Sequence, residues 1–306
     1  MKKIGFIYDD IFLLHDTPSN HPESKDRLIA INDALKKVDL WEKLIHLPPL
    51  KAAKEDILSV HTTSYYEKII TFTGYYDADT YVSPHSIEAA LSAAGAVIGA
   101  IDRCREKYLD GAFCAVRPPG HHAEANRAMG FCIFNNVAIG ARHAQKIGYE
   151  RVFVIDFDVH HGNGTQHIFE EDDSVFYFST HQYPHYPGTG SDAERGKGRG
   201  RGFTYNIPVH HGSGDKDYFA AFHDILPTLV NNFKPDIILV SAGYDIHVND
   251  PLAGIRVTNE GIRNIVRSIT GCRKDIPHVF CLEGGYDLVS LGESVVITIE
   301  EVLNGN

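Results

Sequence analysis

Four short segments of the chain concentrate the side chains that hold metal ions or move protons. Carboxylates and imidazoles together are ligands for a divalent cation, and a histidine beside such a cation can serve as a general acid or base. A tyrosine hydroxyl adds a hydrogen-bond donor. The segments read RPPGHHAE (Arg117–Glu124), DFDVHHGNG (Asp156–Gly164), SAGYDIHVNDPLAG (Ser241–Gly254) and LEGGYD (Leu282–Asp287).

The second segment carries the strongest signal. The apolar run Val152–Val159 predicts a buried strand, and alternation along it places Asp156, Asp158 and His160 on one side. They lie at the carboxyl end of the strand, where open α/β sheets bind ligands. A metal offsets the cost of burying such a cluster. We therefore expect Asp158 and His160 to be metal ligands with Asp156 behind them. The alternative is a capped helix start with incidental histidines.

The first segment follows another apolar strand, Ala112–Val116. Two prolines and Gly120 force a rigid turn that presents His121 and His122 together. A pair of histidines supplies one base and one charge-stabilising partner. The alternative is a loop with two exposed histidines.

The third and fourth segments are weaker alone. Asp245 follows the strand Ile237–Val240 and is a candidate third ligand, although it would also suit a turn or cap. Gly284 and Gly285 allow a tight backbone turn, so that Tyr286 can direct its hydroxyl into a cleft. A tyrosine packed in a loop is the alternative.

The elements that must position these segments alternate along the chain, which predicts one α/β domain over residues 1–306 with a parallel sheet. The loop Gly188–Gly202 is rich in Gly, Arg and Lys. The other expected strands are Lys3–Tyr8, Val175–Phe178, Thr204–Val209 and Val279–Leu282, and the expected helices are Ser24–Val38, Pro84–Tyr108, Asn135–Ile147, Asp217–Asn231 and Asn259–Ile269.

Composition limits the function classes. The 306 residues are 43% hydrophobic and carry a net charge of -11, which argues against binding nucleic acid and tolerates cationic substrates. The five cysteines form no CxxC pair, which argues against a thiolate site and fits a reducing compartment. No run of 18 apolar residues suggests a membrane span. We expect a soluble, cytoplasmic protein.

Read together and in order, the segments resemble the histone deacetylase superfamily, which includes bacterial deacetylases and acetylpolyamine amidohydrolases. HPES, RPPGHHAE, MGFCIFNN, DFDVHHGNGTQ, HQYPHYPGTG, SAGYDIHVNDPLAG and LEGGYDL follow in family order across nearly the whole chain. Asn163 and LEGGYDL look closer to class II than to class I. The resemblance implies an arginase–deacetylase fold, a single parallel β-sheet flanked by helices.

The resemblance also implies a reaction: hydrolysis of an acetyl or short acyl amide by metal-activated water. The implied ligands are Asp158, His160 and Asp245, holding zinc or, alternatively, iron(II). The implied catalytic residues are His122 as general base, His121 beside it oriented by Asp156, Asn163 behind His122, and Tyr286 as the donor to the oxyanion.

The family's substrate channel is a narrow apolar tube for a lysine-like stem. By position its lining would include Gly120, Phe131 and Tyr186, with Asp79 at the rim. Leu252 stands where the polyamine-selective branch has an acidic residue, which favours an acyl-lysine peptide or protein over a small acetylated amine such as an acetylpolyamine. A structural potassium ion would be held largely by main-chain carbonyls, by position at Asp156, Asp158, His160, Ser179 and Thr180, and Arg27 matches a buried arginine near an internal acetate cavity.

Two other functions share this fold. An arginase-like hydrolase would need two manganese ions and more carboxylates than these segments offer. A non-catalytic binding module would usually have lost a ligand or the tyrosine, and this chain keeps them all. The sequence does not indicate an oligomeric state.

Overall fold

The structure is a computed structural model that describes residues 2–305. Its centre is an eight-stranded parallel sheet with the strand order β2-β1-β5-β10-β9-β6-β7-β8. A separate antiparallel hairpin, β3-β4, adds a small second sheet to the single sheet expected from the sequence. The strands are β1 Ile4–Ile7, β2 Ile45–Leu47, β3 Gly74–Tyr75, β4 Tyr81–Val82, β5 Gly111–Cys114, β6 Val152–Asp156, β7 Val175–Gln182, β8 Thr204–Val209, β9 Ile237–Ala242 and β10 His278–Leu282.

Helices pack on the sheet between its strands, as the alternating pattern predicts. The expected helix Asp217–Asn231 is interrupted by a π-helical turn at Ala220–Ile225, after which a new helix begins with proline in its first turn. The helices are α1 Asp26–Lys37, α2 Lys54–Leu58, α3 Thr63–Ile69, α4 Ser86–Arg105, α5 Asn136–Lys146, α6 Asn163–Phe169, α7 Asp215–Phe219, α8 Leu226–Phe233, α9 Asn259–Cys272 and α10 Leu288–Asn304.

The inner strands are buried along their whole length. Every residue of β5, β6, β7, β9 and β10 is buried, and each of these strands contains a short apolar run without polar alternation, although β7 continues past its run through the polar residues Ser179–Gln182. The buried apolar side chains form one cluster across the sheet and its helices. Between residues 2 and 305, no helix combines the length and the apolar character needed to cross a bilayer.

Candidate metal centre and active site

Four adjacent strands bring the chemistry-bearing segments to one edge of the sheet. The segments follow β5, β10, β9 and β6, which are neighbours in that order, and parallel strands end at the same edge. The expected strand alternation is wrong beyond Asp156, because β6 ends there and alternation does not orient the residues that follow. Asp158 and His160 lie in a tight turn, in which the amide of Asp158 donates to the Asp156 carboxylate.

The side chains of Asp158, His160 and Asp245 converge and are buried. His160 Nδ1 lies 3.1 Å from Asp158 Oδ1 and 3.2 Å from Asp245 Oδ2. Ligands bound tetrahedrally at zinc distances lie roughly 3.3 Å from one another, so this spacing fits one zinc-sized ion. Asp245 Oδ2 is buried without a hydrogen-bond partner among the described residues, as expected of an oxygen that binds a cation.

The remaining carboxylate oxygens are fixed by backbone amides. Gly284 donates to Asp158 Oδ2 at 2.8 Å, and Val159 donates to Asp245 Oδ1 at 2.9 Å. A Cβ on Gly284 would lie 2.1 Å from the Asp245 carboxylate, and one on Gly243 would lie 2.0 Å from that of Asp158. Both glycines are therefore required if the two carboxylates are to reach the same point.

Each histidine of the pair has its own partner. His121 Nδ1 lies 3.0 Å from Asp156 Oδ2, and His122 Nδ1 lies 2.8 Å from Asn163 Oδ1. The two rings are adjacent, with centroids 4.0 Å apart. The structure thus brings together all five residues that the resemblance implied for catalysis and orientation, with Tyr286 approaching from another loop.

The two partners give the histidines opposite charge preferences. Burial disfavours a charged ring, but the carboxylates of Asp156 and Asp158 raise the pKa of His121 to about 10. For His122, burial and the neighbouring charges of His121 and His160 hold the pKa well below its usual value. These opposite shifts favour a cationic His121 and an uncharged His122 at neutral pH.

These groups open into a cavity of about 260 Å³, large enough for a narrow stem. Phe131 and Tyr186 line it, as expected, together with both histidines of the pair. Gly120 does not line the cavity, because it packs against the backbone of Asn136, and that assignment is corrected.

Gly130 is the glycine that the sequence reasoning missed. It lines the cavity with φ +56°, and a Cβ there would lie 2.4 Å from the His122 ring. The signal was present in the motif MGF, where this glycine precedes Phe131.

The rim is built by loops outside the sheet. Asp79, in the β3-β4 hairpin, and Leu252 both line the cavity, as expected. His185 also lines it and stacks on His160 at 5.2 Å between centroids, which sequence reasoning did not anticipate although the residue lies in the HQYPHYPGTG motif. No residue of the loop Gly188–Gly202 lines the cavity; Glu194 ties this loop to Gln166 at 2.6 Å.

Two anchors hold the loop that carries Tyr286. Its amide donates to Asp250 Oδ2 at 2.7 Å, and buried Arg27 donates to the carbonyls of Gly285 and Glu283. The Tyr286 ring lines the cavity, and burial raises its pKa well above the usual value, so the hydroxyl stays protonated.

Arg27 belongs to a buried ionic cluster beside the site. Glu23 binds Arg27 through Oε1 and Arg117 through both carboxylate oxygens, and its Oε2 also lies 3.3 Å from His15 Nε2. The cluster links the loop of Tyr286 to the loop of the histidine pair, since Arg117 opens the latter.

The residues expected to hold potassium lie next to one another. Ser179 pairs with Asp156 across β6 and β7, and Thr180 is buried with its hydroxyl oxygen unpartnered among the described residues. The remaining three residues are Asp156 itself, at the end of β6, and Asp158 and His160 in the turn that follows it.

A larger hollow of about 850 Å³ lies at the opposite edge of the sheet, among the residues that precede β1, β5, β6, β9 and β10. It contains none of the candidate residues. Since ligands of such sheets bind at the carboxyl ends of the strands, the smaller cavity is the candidate active site.

Comparison with known proteins identifies the family and the fold. Residues 21–302 match the model of the histone deacetylase domain. The chain belongs to the histone deacetylase family. Its relatives in the family include a probable deacetylase of Archaeoglobus fulgidus, 39% identical over 93% of this chain and 81% of that protein. The crystal structure of the HDA15 HD domain superposes with a TM-score of 0.92 at 36% identity, covering 98% of this chain and 90% of that one.

The polyamine deacetylase HDAC10 of Homo sapiens is another relative of this deacetylase-family chain, 39% identical over 95% of this chain and 46% of that protein. The chain thus spans about half the length of that relative. Family membership confirms the resemblance and the arginase–deacetylase fold, and it places the chain among hydrolytic deacetylases.

Proposed function

We propose that this chain is a zinc-dependent hydrolase that removes an acetyl or short acyl group from a lysine-like amine. One observation carries the proposal: three buried ligand side chains, Asp158, His160 and Asp245, converge next to the histidine pair, and His160 lines the same cavity as both histidines. The whole of residues 1–306 would form one catalytic domain, which the single apolar cluster supports.

A divalent cation in this site would act as a Lewis acid toward the amide carbonyl and lower the pKa of a water. Zinc fits the spacing of the three ligands, and iron(II) is the alternative for the same donor set. The structural potassium ion is part of the proposal. It is supported by the position of Ser179 beside Asp156, where β6 ends and the turn with Asp158 and His160 begins.

The protein's own groups would handle protons and charge. His122 has Nδ1 engaged with Asn163, so Nε2 would take a proton from the attacking water and later return it to the leaving amine. Cationic His121 would stabilise the negative charge that develops nearby. The Tyr286 hydroxyl would donate to the oxyanion.

The cavity wall favours an uncharged stem. Phe131 and Tyr186 would flank it, and Leu252 offers no charge to a second ammonium group. Acyl-lysine in a peptide or protein is therefore the preferred substrate class. A small acetylated amine is the second candidate, which the likeness to a polyamine deacetylase and the rim carboxylate of Asp79 favour.

The cellular location and the absence of a nucleic-acid partner are part of the proposal. A cytoplasmic location is supported by five free cysteines, and the net charge of -11 argues against a nucleic-acid partner.

Metal content and a substrate panel test the proposal. The metal-free protein is reloaded with zinc, iron(II) or manganese(II) and assayed on acetyl-lysine peptides, longer acyl-lysines and acetylspermidine-type amines, with and without a chelator. We expect one zinc or iron per chain and hydrolysis that a chelator abolishes. Two manganese ions per chain would favour the arginase-like alternative, and no hydrolysis with any metal would favour a binding module.

A further inference from the structure

Four polar side chains, linked by hydrogen bonds, connect the histidine pair to the protein surface. His122 Nδ1 lies 2.8 Å from Asn163 Oδ1, and Asn163 Nδ2 donates to Glu124 Oε1 at 2.5 Å. The two Glu124 oxygens lie 2.9 and 3.1 Å from His167 Nδ1. The side chain of Glu124 is 11% exposed, whereas that of His167 is 38% exposed, so the four side chains join the buried site to solvent.

Glu124 is the nearest acceptor for the Asn163 amide, since its other acceptors, the His122 carbonyl and Met129 Sδ, lie 3.5 and 3.4 Å from Asn163 Nδ2. An ionised carboxylate only accepts hydrogen bonds, so the amide must turn its NH₂ group toward Glu124. In the flipped amide, two acceptor oxygens would meet at hydrogen-bonding distance in a buried place, which is unfavourable. The carbonyl oxygen of Asn163 is thereby directed at His122.

This orientation fixes the tautomer of His122. Facing a carbonyl oxygen, Nδ1 must carry the proton, and in the neutral ring the lone pair then lies on Nε2. Only that tautomer can accept a proton on the nitrogen that is not engaged with Asn163. With the amide flipped, Nδ1 would accept from Asn163 and Nε2 would already hold the proton.

We propose that Glu124 and His167 are positioning residues that orient the Asn163 amide and so keep His122 in the tautomer that can act as a base. The inference rests on the proposed function and deepens it. His167 holds Glu124 in place by donating to its carboxylate, while Arg127 is farther off at 4.0 Å.

Two substitutions, Glu124→Gln and Asn163→Asp, test the proposal, because Glu124→Gln should change kcat in opposite directions with and without Asn163→Asp. In Glu124→Gln the residue offers either face of an amide, so it no longer selects one orientation of Asn163. We expect kcat to fall about tenfold with KM within about twofold of the parent. In Asn163→Asp both side-chain oxygens accept, and one of them faces Glu124 as a like charge, so this variant alone is also impaired.

Combining the two substitutions should restore the activity that each one lowers alone. In the double variant, the glutamine introduced at position 124 can donate to the carboxylate introduced at position 163. That carboxylate in turn accepts from His122, so the same tautomer is restored. We expect Glu124→Gln to raise kcat about tenfold when position 163 carries the aspartate, although it lowers kcat in the parent background. The acid limb of the pH profile moves upward in the double variant, because a carboxylate now faces His122.

A packing role alone would not produce this pattern. If Glu124→Gln lowers kcat equally in both backgrounds, or changes it in neither, the positioning proposal is overturned. Thermal unfolding of each variant checks that the fold persists. Glu171→Gln, a change of an exposed carboxylate just past the end of α6, is the matched control and should leave kcat unchanged. His167→Ala should give a smaller loss than Glu124→Gln.

A spectroscopic readout separates this inference from the proposed function. In zinc-loaded protein with ¹⁵N-labelled histidine, the His122 signals are assigned by their loss in His122→Gln. We expect the Nδ1-protonated tautomer in the parent and a mixture of tautomers in Glu124→Gln. If the parent hydrolyses no acyl amide, the proposed function fails while this measurement still decides the positioning claim. A parent His122 protonated on Nε2 contradicts that claim whatever the activity.

Discussion

Two buried charged clusters lie side by side, and the free-energy cost of burying their charges is offset in different ways. In the Glu23 cluster, two guanidinium groups and a histidine surround one carboxylate, and both of its oxygens have partners. In the cluster of Asp158, His160 and Asp245, two carboxylates face one imidazole, and an oxygen of Asp245 has no hydrogen-bond partner among the described residues.

This difference separates buried charges that stabilise the fold from buried charges that are available to bind a cation. The Glu23 cluster is complete within the protein and ties two loops together. The other cluster has an excess of negative charge that raises the pKa of His160 to about 10, in spite of burial, so the site favours positive charge. Breaking each cluster should therefore have a different consequence.

The largest effect is expected when a metal ligand is removed. Asp158→Ala or His160→Ala should lose the bound metal and reduce hydrolysis to background, because neither remaining pair can hold the ion. Metal analysis by mass spectrometry together with the acyl-lysine assay measures both. Retained metal with full activity would show that this cluster is not the catalytic centre.

The next effect is on stability. Glu23→Gln leaves two buried guanidinium groups without their counter-charge, and we expect the free energy of unfolding to fall by about 3–5 kcal/mol. Urea unfolding of metal-free protein measures this without a contribution from the ion. A loss as small as that of an exposed pair, below about 1 kcal/mol, would contradict the assignment.

The loss of stability in Glu23→Gln should also depend on pH. Burial opposes the charged form of Glu23, but Arg117 and His15 hold its pKa well below the ordinary value of 4.5. A lowered pKa contributes stability above the ordinary value, and that contribution is lost as the pH falls below it. The difference between the parent and Glu23→Gln should therefore be constant from pH 7 to about 5 and shrink in more acidic solution.

A smaller effect is expected at the tyrosine between the two clusters. Tyr286→Phe should keep the metal and the fold but lower kcat at least about tenfold, since one oxyanion donor is typically worth roughly 10²–10³ in rate. Steady-state kinetics on zinc-loaded protein measures it. Full activity in this variant would remove the oxyanion role.

The smallest effect belongs to the rim. Leu252→Glu adds a carboxylate beside the cavity, and we expect kcat/KM for acetylspermidine to rise up to about fivefold relative to acetyl-lysine peptide. Leu252→Gln, which adds polarity without charge, is the control. An equal shift in both variants would mean that charge at this position does not select the substrate.

The sheet was predictable because its inner strands contain short apolar runs, although the run Val175–Phe178 does not show that β7 continues to Gln182. The helix α10 was not anticipated, since its segment Val295–Ile299 is rich in β-branched residues that favour strands by propensity. Packing against α1 and α9 overrides that preference. The two-residue strands of the β3-β4 hairpin are too short to give a periodic signal.

Ordered motifs predict which residues meet at the site, but not how the backbone places them. Alternation assigns Asp158 and His160 to a strand, yet they lie in a turn, because a run of apolar residues does not mark where a strand ends. The resemblance implies Gly120 as a channel residue by position, yet Gly130 lines the cavity, because the positive φ beside the His122 ring is a property of the folded loop.

Gly243 and Gly284, which make room for the metal-binding carboxylates, offer a criterion for recognising homologues that have lost the ion. Any side chain at position 243 or 284 would occupy the space of Asp158 or Asp245. A homologue that keeps all three ligands but carries a larger residue at either position should therefore have lost the ion while retaining the scaffold. Such homologues can be recognised as inactive from the residues at these two positions, before any assay is run.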